Sequence, residues 1–329
     1  MALARYIRRR LKLLLLCGIS LSIVVMIILS LRDTHADEEI VRLHQSHNHD
    51  QVNYKQVKFS TNLLVVVISA PSHENERNVI RQTWASKPPP EVSVRFAVGT
   101  NGIQDKLLDS LAKESSNHGD LLLLENLQES FQQLTKKVLE TMKFVVKNVQ
   151  FNFLMKVDED SFVRLEEVSY ELLSKPQERL YWGFFDGRAS VKRSGKWEEK
   201  EYVLCDRYLP YALGGGYVLS KDLVQYVVTN ADLLQIFKNE DASLGTWLAP
   251  LNINRIHDPN FDTEYKSRGC FNSYLVTHKK SPADMQQLYT NLKSNGHFCS
   301  AEHQERLSYI YNWNAPPSKC CERNDINVR

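Results

Sequence analysis

Several features are missing from this 329-residue sequence, and each absence removes a class of protein. The run of three glycines at 214–216 matches neither a Walker A loop nor a Gly-x-Gly-x-x-Gly motif, so a P-loop or a dinucleotide site is not expected. No pair of cysteines has the spacing of a zinc site. No Asn-x-Ser/Thr sequon occurs, and we therefore expect a protein without N-linked glycans.

An excess of basic charge is also missing from most of the chain. Five of the 41 Lys and Arg residues lie among the first twelve residues, which contain no acid. The other 36 basic residues are outnumbered by 39 acidic ones, so the main part of the chain is slightly acidic. Such a balance gives no electrostatic footprint for nucleic acid, and we predict no nucleic-acid partner.

Uncharged stretches long enough to cross a membrane are absent except near the N-terminus. Residues 13–31 are nineteen uncharged positions, enough for a helix to cross a hydrocarbon core of ~30 Å. Basic residues before them and acidic residues after them predict a cytoplasmic N-terminus. We predict a cytoplasmic tail at 1–12, a transmembrane signal anchor at 13–31, a stem at 32–59 and a lumenal domain at 60–329.

The alternative to an anchor is a cleaved signal peptide, but the apolar run is too long and a poor cleavage site follows it. The short anchor suits the thin membranes of the early secretory pathway, so we expect a single-pass type II protein of the Golgi membrane. Five of the six cysteines then lie in a compartment that permits disulfide bonds. Because five is odd, at least one of these cysteines stays free or pairs between chains. For the adjacent Cys320 and Cys321 we expect a disulfide rather than a metal site, and the other pairings stay open.

Residues 60 onward show short β-branched runs that alternate with helical patterns. Strands are predicted at 63–69, 94–98, 121–124 and 151–157, and helices at 74–84, 103–117 and 130–147. This alternation predicts an α/β fold with a mostly parallel central sheet flanked by helices. Further along, a strand is predicted at 180–185, and helices at 240–248 and 282–295. Sheets of this kind bind ligands outside the carboxyl ends of their strands.

The stretch 151–160, FNFLMKVDED, ends a buried strand in three adjacent carboxylates. Such charges raise one another's pKa unless a cation lies among them. In an extended segment Asp158 and Asp160 share one face while Glu159 points the other way. Oxygen ligands on a short loop favour Mg²⁺ or Mn²⁺, which bind carboxylates together with substrate phosphates. The alternative is that Asp160 and Ser161 cap a helix beginning near residue 162.

Other candidate site residues are spread along the chain, and each has a structural alternative. Asp241, after Glu240, is either a helix N-terminal residue or a catalytic base projecting into a cleft. Arg77 and Arg81 lie four apart, so they share a helix face that either binds a diphosphate or is solvated. His278, with His257 as its rival, is either a third metal ligand or a hydrogen-bonded structural residue.

The second half of the chain is also rich in aromatic residues and contains the glycine run. Aromatic rings such as Trp182 and Tyr211 either belong to the core or stack on a sugar. Gly214 and Gly215 either form a bulge or let the backbone approach a ligand closely.

Five stretches together resemble the β-1,3-glycosyltransferase family, and they occur in the family's order over residues 62–282. They are RNVIRQTW (77–84), FLMKVDEDSFV (153–163), YALGGGYVLS (211–220), NEDASLG (239–245) and VTHKKSP (276–282). The resemblance implies a nucleotide-diphospho-sugar transferase fold of the GT-A type, UDP-galactose as donor, Mn²⁺ as cofactor and inversion at the anomeric carbon. Glu159 departs from the family, which usually has Asp there.

Residue roles follow from the same resemblance. Asp160 is implied as the principal metal ligand, Asp158 as its partner at the nucleotide and His278 as a further ligand. Asp241 is implied as the base, and Arg77 and Arg81 as neighbours of the donor. Acceptor contacts are expected among five residues: Trp182, Tyr211, Gly214, Gly215 and Glu240.

Longer strings, including CDRYLPYALGGGYVLS and FDTEYKSRGC, resemble the members that extend the proteoglycan linker tetrasaccharide. They imply galactosyl-β-1,4-xylosyl-serine on proteoglycan core proteins as the acceptor, and a role in glycosaminoglycan biosynthesis. Two alternatives remain: another β-1,3-hexosyl- or N-acetylhexosaminyltransferase of this fold, and an inactive lumenal protein that binds glycans. A metal-dependent phosphohydrolase is disfavoured because a second metal cluster is missing from the sequence.

Overall fold

The computed structural model describes residues 59–328. The predicted tail and anchor, and all of the predicted stem but Phe59, lie outside the described residues. Within residues 59–328, no helix combines the length and the apolar character needed to span a membrane.

Fourteen strands and seven α-helices occur in this range. The strands are β1 Phe59–Ser60, β2 Leu63–Ile68, β3 Val92–Asn101, β4 Leu121–Gln128, β5 Val149–Gln150, β6 Phe153–Asp158, β7 Phe162–Val163, β8 Leu180–Asp186, β9 Tyr211–Ser220, β10 Asn254–His257, β11 Phe261–Asp262, β12 Gly269–Cys270, β13 Val276–Thr277 and β14 His303–Gln304. The helices are α1 Glu74–Gln82, α2 Asp105–His118, α3 Leu134–Asn148, α4 Leu165–Leu172, α5 Lys221–Thr229, α6 Glu240–Leu248 and α7 Pro282–Asn295.

A seven-stranded sheet in the order β10-β8-β9-β6-β2-β3-β4 forms the centre of the fold. All neighbouring strands in it are parallel, except that β9 runs antiparallel to both β6 and β8. Helix α3 packs against β4, α5 and α6. The prediction of a mostly parallel central sheet packed with helices is therefore confirmed.

The apolar strands β2 and β6 lie in the middle of the sheet because both of their faces are covered. Every residue of β2 is buried, and β6 is buried up to its last residue, Asp158. The two strands pair in parallel register, so their carboxyl ends lie side by side at one edge. The acidic group at 158–160 therefore lies where the sheet meets solvent.

A small sheet, β11-β13-β7, brings a distant part of the chain to this edge. Strand β13 pairs antiparallel with β7, so His278 follows β13 at the point where Asp160 precedes β7. The Lys280 amide donates to the Asp160 carbonyl at 2.8 Å and fixes this meeting. No helix begins at residue 162 in the described chain, because β7 occupies that position and α4 starts only at Leu165. Asp160 and Ser161 are therefore not a helix cap.

Disulfide pairing, which the sequence left open, is resolved by the structure. Cys270 bonds to Cys299, and the adjacent Cys320 and Cys321 bond to each other. Cys205 is an exposed free thiol.

Candidate active site

The side chains of Asp158, Asp160 and His278 converge at the carboxyl end of β6. Their ligand atoms all lie within 4.8 Å of one another. His278 Nε2 lies 2.9 Å from Asp160 Oδ1 and 3.5 Å from Asp158 Oδ2. Burial opposes ionisation of Asp160, but His278 and Lys279 outweigh it and lower the pKa of that carboxyl to about 2. The group thus places two carboxyl groups against one ring nitrogen.

His278 supports a metal at this point. Its side chain is buried, its Nδ1 has no hydrogen-bond partner within residues 59–328, and its Nε2 lies at ion-pair distance from Asp160 and Asp158 without hydrogen-bond geometry. A buried polar atom without a partner costs about 1–3 kcal/mol, so one is retained where a ligand compensates. Two carboxylate oxygens and one imidazole nitrogen suit a divalent cation such as Mn²⁺. These three residues therefore fit the predicted metal site.

Glu159 points away from this group, as the alternation of an extended chain predicts. One of its carboxylate oxygens, Oε1, lies 2.5 Å from His73 Nδ1, at the start of α1. The neighbouring Lys279 has a backbone φ of 61°, which is rare for a residue with a side chain. Its Nζ reaches Asp160 Oδ2 at 3.2 Å.

Lys156 is a site residue that sequence reasoning missed. Its ammonium group donates to Asp158 Oδ1 at 2.8 Å, to Glu240 Oε2 at 2.9 Å and to the Gly214 carbonyl at 2.6 Å. Burial disfavours its charge, but Asp158 and Glu240 outweigh this and raise the pKa of Lys156. The signal was a lone lysine inside an apolar strand, on the same face as Asp158. Lys156 thus connects the candidate metal site to the start of α6.

Asp241, at the start of α6, is half-buried beside Lys156 and β9. Its Oδ2 accepts from the Gly214 amide at 3.0 Å, and its Oδ1 accepts from the Ala242 amide at 2.9 Å. Burial, and then the neighbouring Glu240 carboxylate, raise the pKa of Asp241 to about 7. A carboxylate with such a pKa is suited to accept a proton near neutral pH.

Two clefts meet at the candidate metal site. The Asp241 cleft, of about 730 Å³, is lined by Asp158, Gly214, Asp241 and His278 among others. The Glu159 cleft, of about 740 Å³, is lined by the carboxyl end of β2 and by residues 158–160 and 279–282. The two share Asp158, Lys279, Phe131 and Leu134. Both have the size of small-molecule sites, so two ligands can meet at Asp158.

The glycine run combines both of the roles that the sequence left open. Gly183 of β8 pairs with Tyr217 and Phe185 pairs with Ala212, so residues 213–216 bulge out of the regular pairing with β8. Gly214 and Gly215 also line the Asp241 cleft. A Cβ on Gly215 would lie 2.7 Å from the His278 ring, so only glycine lets the ring approach this closely.

The predicted roles of Arg77, Arg81 and Trp182 need correction. Arg77 does not face a ligand, because its buried guanidinium donates to Glu114, Ser69 and the Ala70 carbonyl. Arg81 likewise pairs with Glu114 and Asp120.

Trp182 is fully buried and donates its indole N–H to Asp258, so its ring is part of the core and does not contact an acceptor. Tyr211 and Glu240 both line the Asp241 cleft, although each is largely buried. Glu240 is held by Lys156 and the Tyr217 hydroxyl.

His257, the rival metal ligand, accepts a hydrogen bond from the Phe185 amide and contacts the Tyr309 carbonyl, so it lies outside the candidate metal site.

Sequence comparison defines the class of protein to which this fold and site belong. A family model described as Galactosyltransferase matches residues 75–259, more than half of the chain. The chain belongs to this galactosyltransferase family, and the predictions of a glycosyltransferase and of the family resemblance are confirmed.

Among its relatives, the chain is 49% identical over 270 residues to beta-1,3-galactosyltransferase 6 of Mus musculus, covering 80% of this chain and 83% of that protein. It is 31% identical over 243 residues to hydroxyproline O-galactosyltransferase GALT2 of Arabidopsis thaliana, covering 70% of this chain but only 34% of that protein. Among solved structures, a mannosyltransferase from Pyrobaculum calidifontis in complex with GDP-Man and Mn²⁺ is 11% identical, with a TM-score of 0.36, and the match covers 62% of this chain and 56% of that one.

Proposed function

We propose that this protein is an inverting, Mn²⁺-dependent β-1,3-galactosyltransferase of the GT-A type that uses UDP-galactose. One observation carries the proposal. Asp158 and His278, two members of the three-residue group that could hold a metal, line the same cleft as Asp241, a half-buried carboxylate with a pKa of about 7. Family membership and the identity to the mouse protein support the donor and the linkage.

The nucleotide part of the donor is assigned to the Glu159 cleft. That cleft adjoins Asp158 and Asp160, and Lys279 and Lys280 line it as well. These two lysines supply the positive charge that a diphosphate requires, in place of Arg77 and Arg81. Asp158, Asp160 and His278 would hold a divalent cation, which would supply positive charge to offset the charge that develops on the departing diphosphate.

The acceptor is assigned to the Asp241 cleft. Asp241 takes the proton of the acceptor hydroxyl as the oxygen attacks the anomeric carbon from the face opposite the diphosphate. The amides of Gly214 and Ala242 hold the Asp241 carboxylate in one orientation. Lys156 compensates part of the charge that Glu240 and Asp158 place beside it.

The acceptor and the cellular location are proposed from the sequence. We propose galactosyl-β-1,4-xylosyl-serine on proteoglycan core proteins as the acceptor, and anchorage in the Golgi membrane with the catalytic domain in the lumen. Supporting observations are the 49% identity to the mouse protein and the nineteen uncharged residues at 13–31.

The test is a transfer assay on the full-length protein with UDP-galactose and a galactosyl-β-1,4-xyloside. We expect a β-1,3-linked product, loss of activity on chelation and recovery with Mn²⁺. Asp160→Asn should lower the rate by at least about 10²-fold, because substitution of residues that only hydrogen-bond to a metal ligand already lowers activity 10–100-fold. Acceptor binding without any release of UDP would identify an inactive glycan-binding protein and contradict the proposal. A preference for a UDP-N-acetylhexosamine would contradict the donor assignment.

A further inference from the structure

Two aromatic rings form a corner at the mouth of the Asp241 cleft. Trp197 and Tyr265 lie with ring centroids 5.4 Å apart and planes at 86°. Their exposed fractions are 39% and 67%, and both line the cleft that contains Asp241. Rings of this size usually bury most of their surface, so two of them left open beside a candidate site indicate a ligand with a flat apolar face.

The two rings come from separate parts of the chain. Trp197 belongs to the segment between β8 and β9, and Tyr265 follows β11. On the Trp197 ring, the Lys196 ammonium lies 5.5 Å from the centroid, while the same ammonium lies 4.8 Å from the Phe131 ring. Phe131 lines both clefts. Through Lys196, the corner therefore lies next to Phe131, where the two clefts adjoin.

Hydrogen bonds tie the Trp197 segment to the residues just before Asp241. The Lys238 amide donates to Glu199 at 2.6 Å, and the Asn239 side chain donates to the Trp197 carbonyl at 3.4 Å. Asn239 also bonds the Tyr208 hydroxyl at 3.0 Å. Residues 238 and 239 lead directly into Glu240 and Asp241 at the start of α6. The position of the corner is thus fixed relative to the proposed base.

We propose that Trp197 and Tyr265 form a subsite for a second sugar of the acceptor, next to the sugar that carries the reacting hydroxyl. This inference rests on the proposed function. Asp241 lies half-buried against β9 and holds the reacting sugar, whereas the corner is open to solvent at the mouth of the same cleft. A pyranose has an apolar C–H face and polar edges, so it can place its face on one ring while its hydroxyls remain hydrated.

The test compares two acceptors on the full-length protein: the galactosyl-β-1,4-xyloside and a simple β-galactoside. We expect Trp197→Ala and Tyr265→Ala to raise the KM for the disaccharide about tenfold, the factor that corresponds to one aromatic contact. The KM for the single sugar and for UDP-galactose should stay within about twofold. Trp197→Phe should retain most of the disaccharide affinity, because it keeps an aromatic face.

Tyr170→Ala is the matched control, since Tyr170 on α4 is 74% exposed and, among the described residues, belongs to neither cleft lining. Equal effects of Trp197→Ala on both acceptors, or no effect, would overturn the inference. Calorimetric binding of the disaccharide separates this inference from the proposed function. If the wild type binds without transfer and Trp197→Ala binds at least about tenfold more weakly, the subsite stands while the function falls. If both bind equally, or neither binds, the subsite is wrong.

Discussion

At the scale of single residues, the charge of Asp241 governs the proposed chemistry. Ionisation of its carboxyl group is unfavourable, first because burial removes the charge from water and then because the Glu240 carboxylate is adjacent. Lys156 and the amides of Gly214 and Ala242 oppose this, and the pKa settles at about 7. The protonated form therefore predominates in acid and the basic form above neutrality.

The pH dependence of transfer should follow this pKa. We expect kcat/KM to rise about tenfold per pH unit below 7 and to level off above it, since only the ionised Asp241 accepts a proton. Asp241→Asn should lower kcat by roughly 10²–10⁴-fold while leaving the KM for UDP-galactose near its original value. Initial rates from about pH 5 to pH 9, at saturating Mn²⁺, measure both effects. A flat profile, or near wild-type turnover by the variant, would show that Asp241 is not the base.

Single residues also show how far the sequence predicts the site. Asp158 and Asp160 could be predicted from the strand pattern before them, whereas His278 could be preferred to His257 only through the family resemblance. Their roles stay predictions, although the structure brings the three together. The ion pair of Lys156 with Glu240 could not be predicted, because it spans 84 residues and depends on the register of β6 with β9.

At the scale of secondary-structure elements, β9 packs against the residues of the candidate metal site. The Ser161 hydroxyl donates to the Gly215 carbonyl at 2.6 Å, and the His278 ring lies against the Gly215 backbone. The bulge at residues 213–216 therefore contacts His278 and the residue that follows Asp160. Sequence patterns indicated the glycines but not the bulge, because a bulge is defined by the pairing of two strands.

Adding a methyl group at this place should weaken metal binding more than folding. In Gly215→Ala the new Cβ would meet His278 at 2.7 Å, so the ring must move away from Asp160. We expect the Kd for Mn²⁺ to rise about 10–100-fold, as for changes behind metal ligands. Mn²⁺ titration followed by electron paramagnetic resonance measures it. Gly216→Ala is the control, because its Cβ would meet Val276 instead, at 3.1 Å, and unchanged affinity in both variants would contradict the prediction.

Helices α1 and α2 are joined by an ion-pair group that also reaches the loop after β2. Glu114 of α2 receives Arg77 at 2.6 Å and Arg81 at 2.7 Å, and Arg77 also donates to the Ala70 carbonyl at 2.6 Å. Ala70 lines the Glu159 cleft, so Arg77 positions a wall of that cleft without touching a ligand. The four-residue spacing showed only that the arginines share a face; the partner comes from another helix.

Removing the shared carboxylate should destabilise the protein strongly. Glu114→Gln leaves the buried Arg77 charge without compensation, which costs about 3 kcal/mol and should lower the melting temperature by roughly 5–10 °C. Thermal unfolding measures it. Glu171→Gln removes a partly exposed i,i+4 pair with Lys175 and should change the stability by less than about 0.5 kcal/mol. Equal losses in the two variants would mean that burial of the group contributes nothing.

At the scale of the whole molecule, the alternation of strands and helices predicted the parallel part of the sheet but not the reversal at β9. A strand carries no mark of its direction, and β9 reaches its place through a long connection after β8. Helices α6 and α7 begin and end where the sequence predicts them. For α7 the physical reason is a capping box formed by Ser281 and Asp284, with proline at the first turn.

The bond between Cys270 and Cys299 should support the whole molecule and the metal site together. It closes a loop across 29 residues, for which the loss of chain entropy in the unfolded state predicts about 3.6 kcal/mol. Phe298, next to Cys299, packs on Phe162 with ring centroids 5.3 Å apart, two residues after Asp160. Opening the loop therefore loosens β7 as well.

The paired variant Cys270→Ser with Cys299→Ser should melt roughly 5–10 °C lower and lose transfer activity at a correspondingly lower temperature. Cys205→Ser is the matched control, because it replaces an exposed free thiol and should leave both temperatures unchanged. Thermal unfolding and residual transfer after heating, measured side by side on the full-length protein, check both statements. If the paired variant melted at a lower temperature but lost its transfer activity at the same temperature as the wild type, the bond would stabilise the chain without supporting β7.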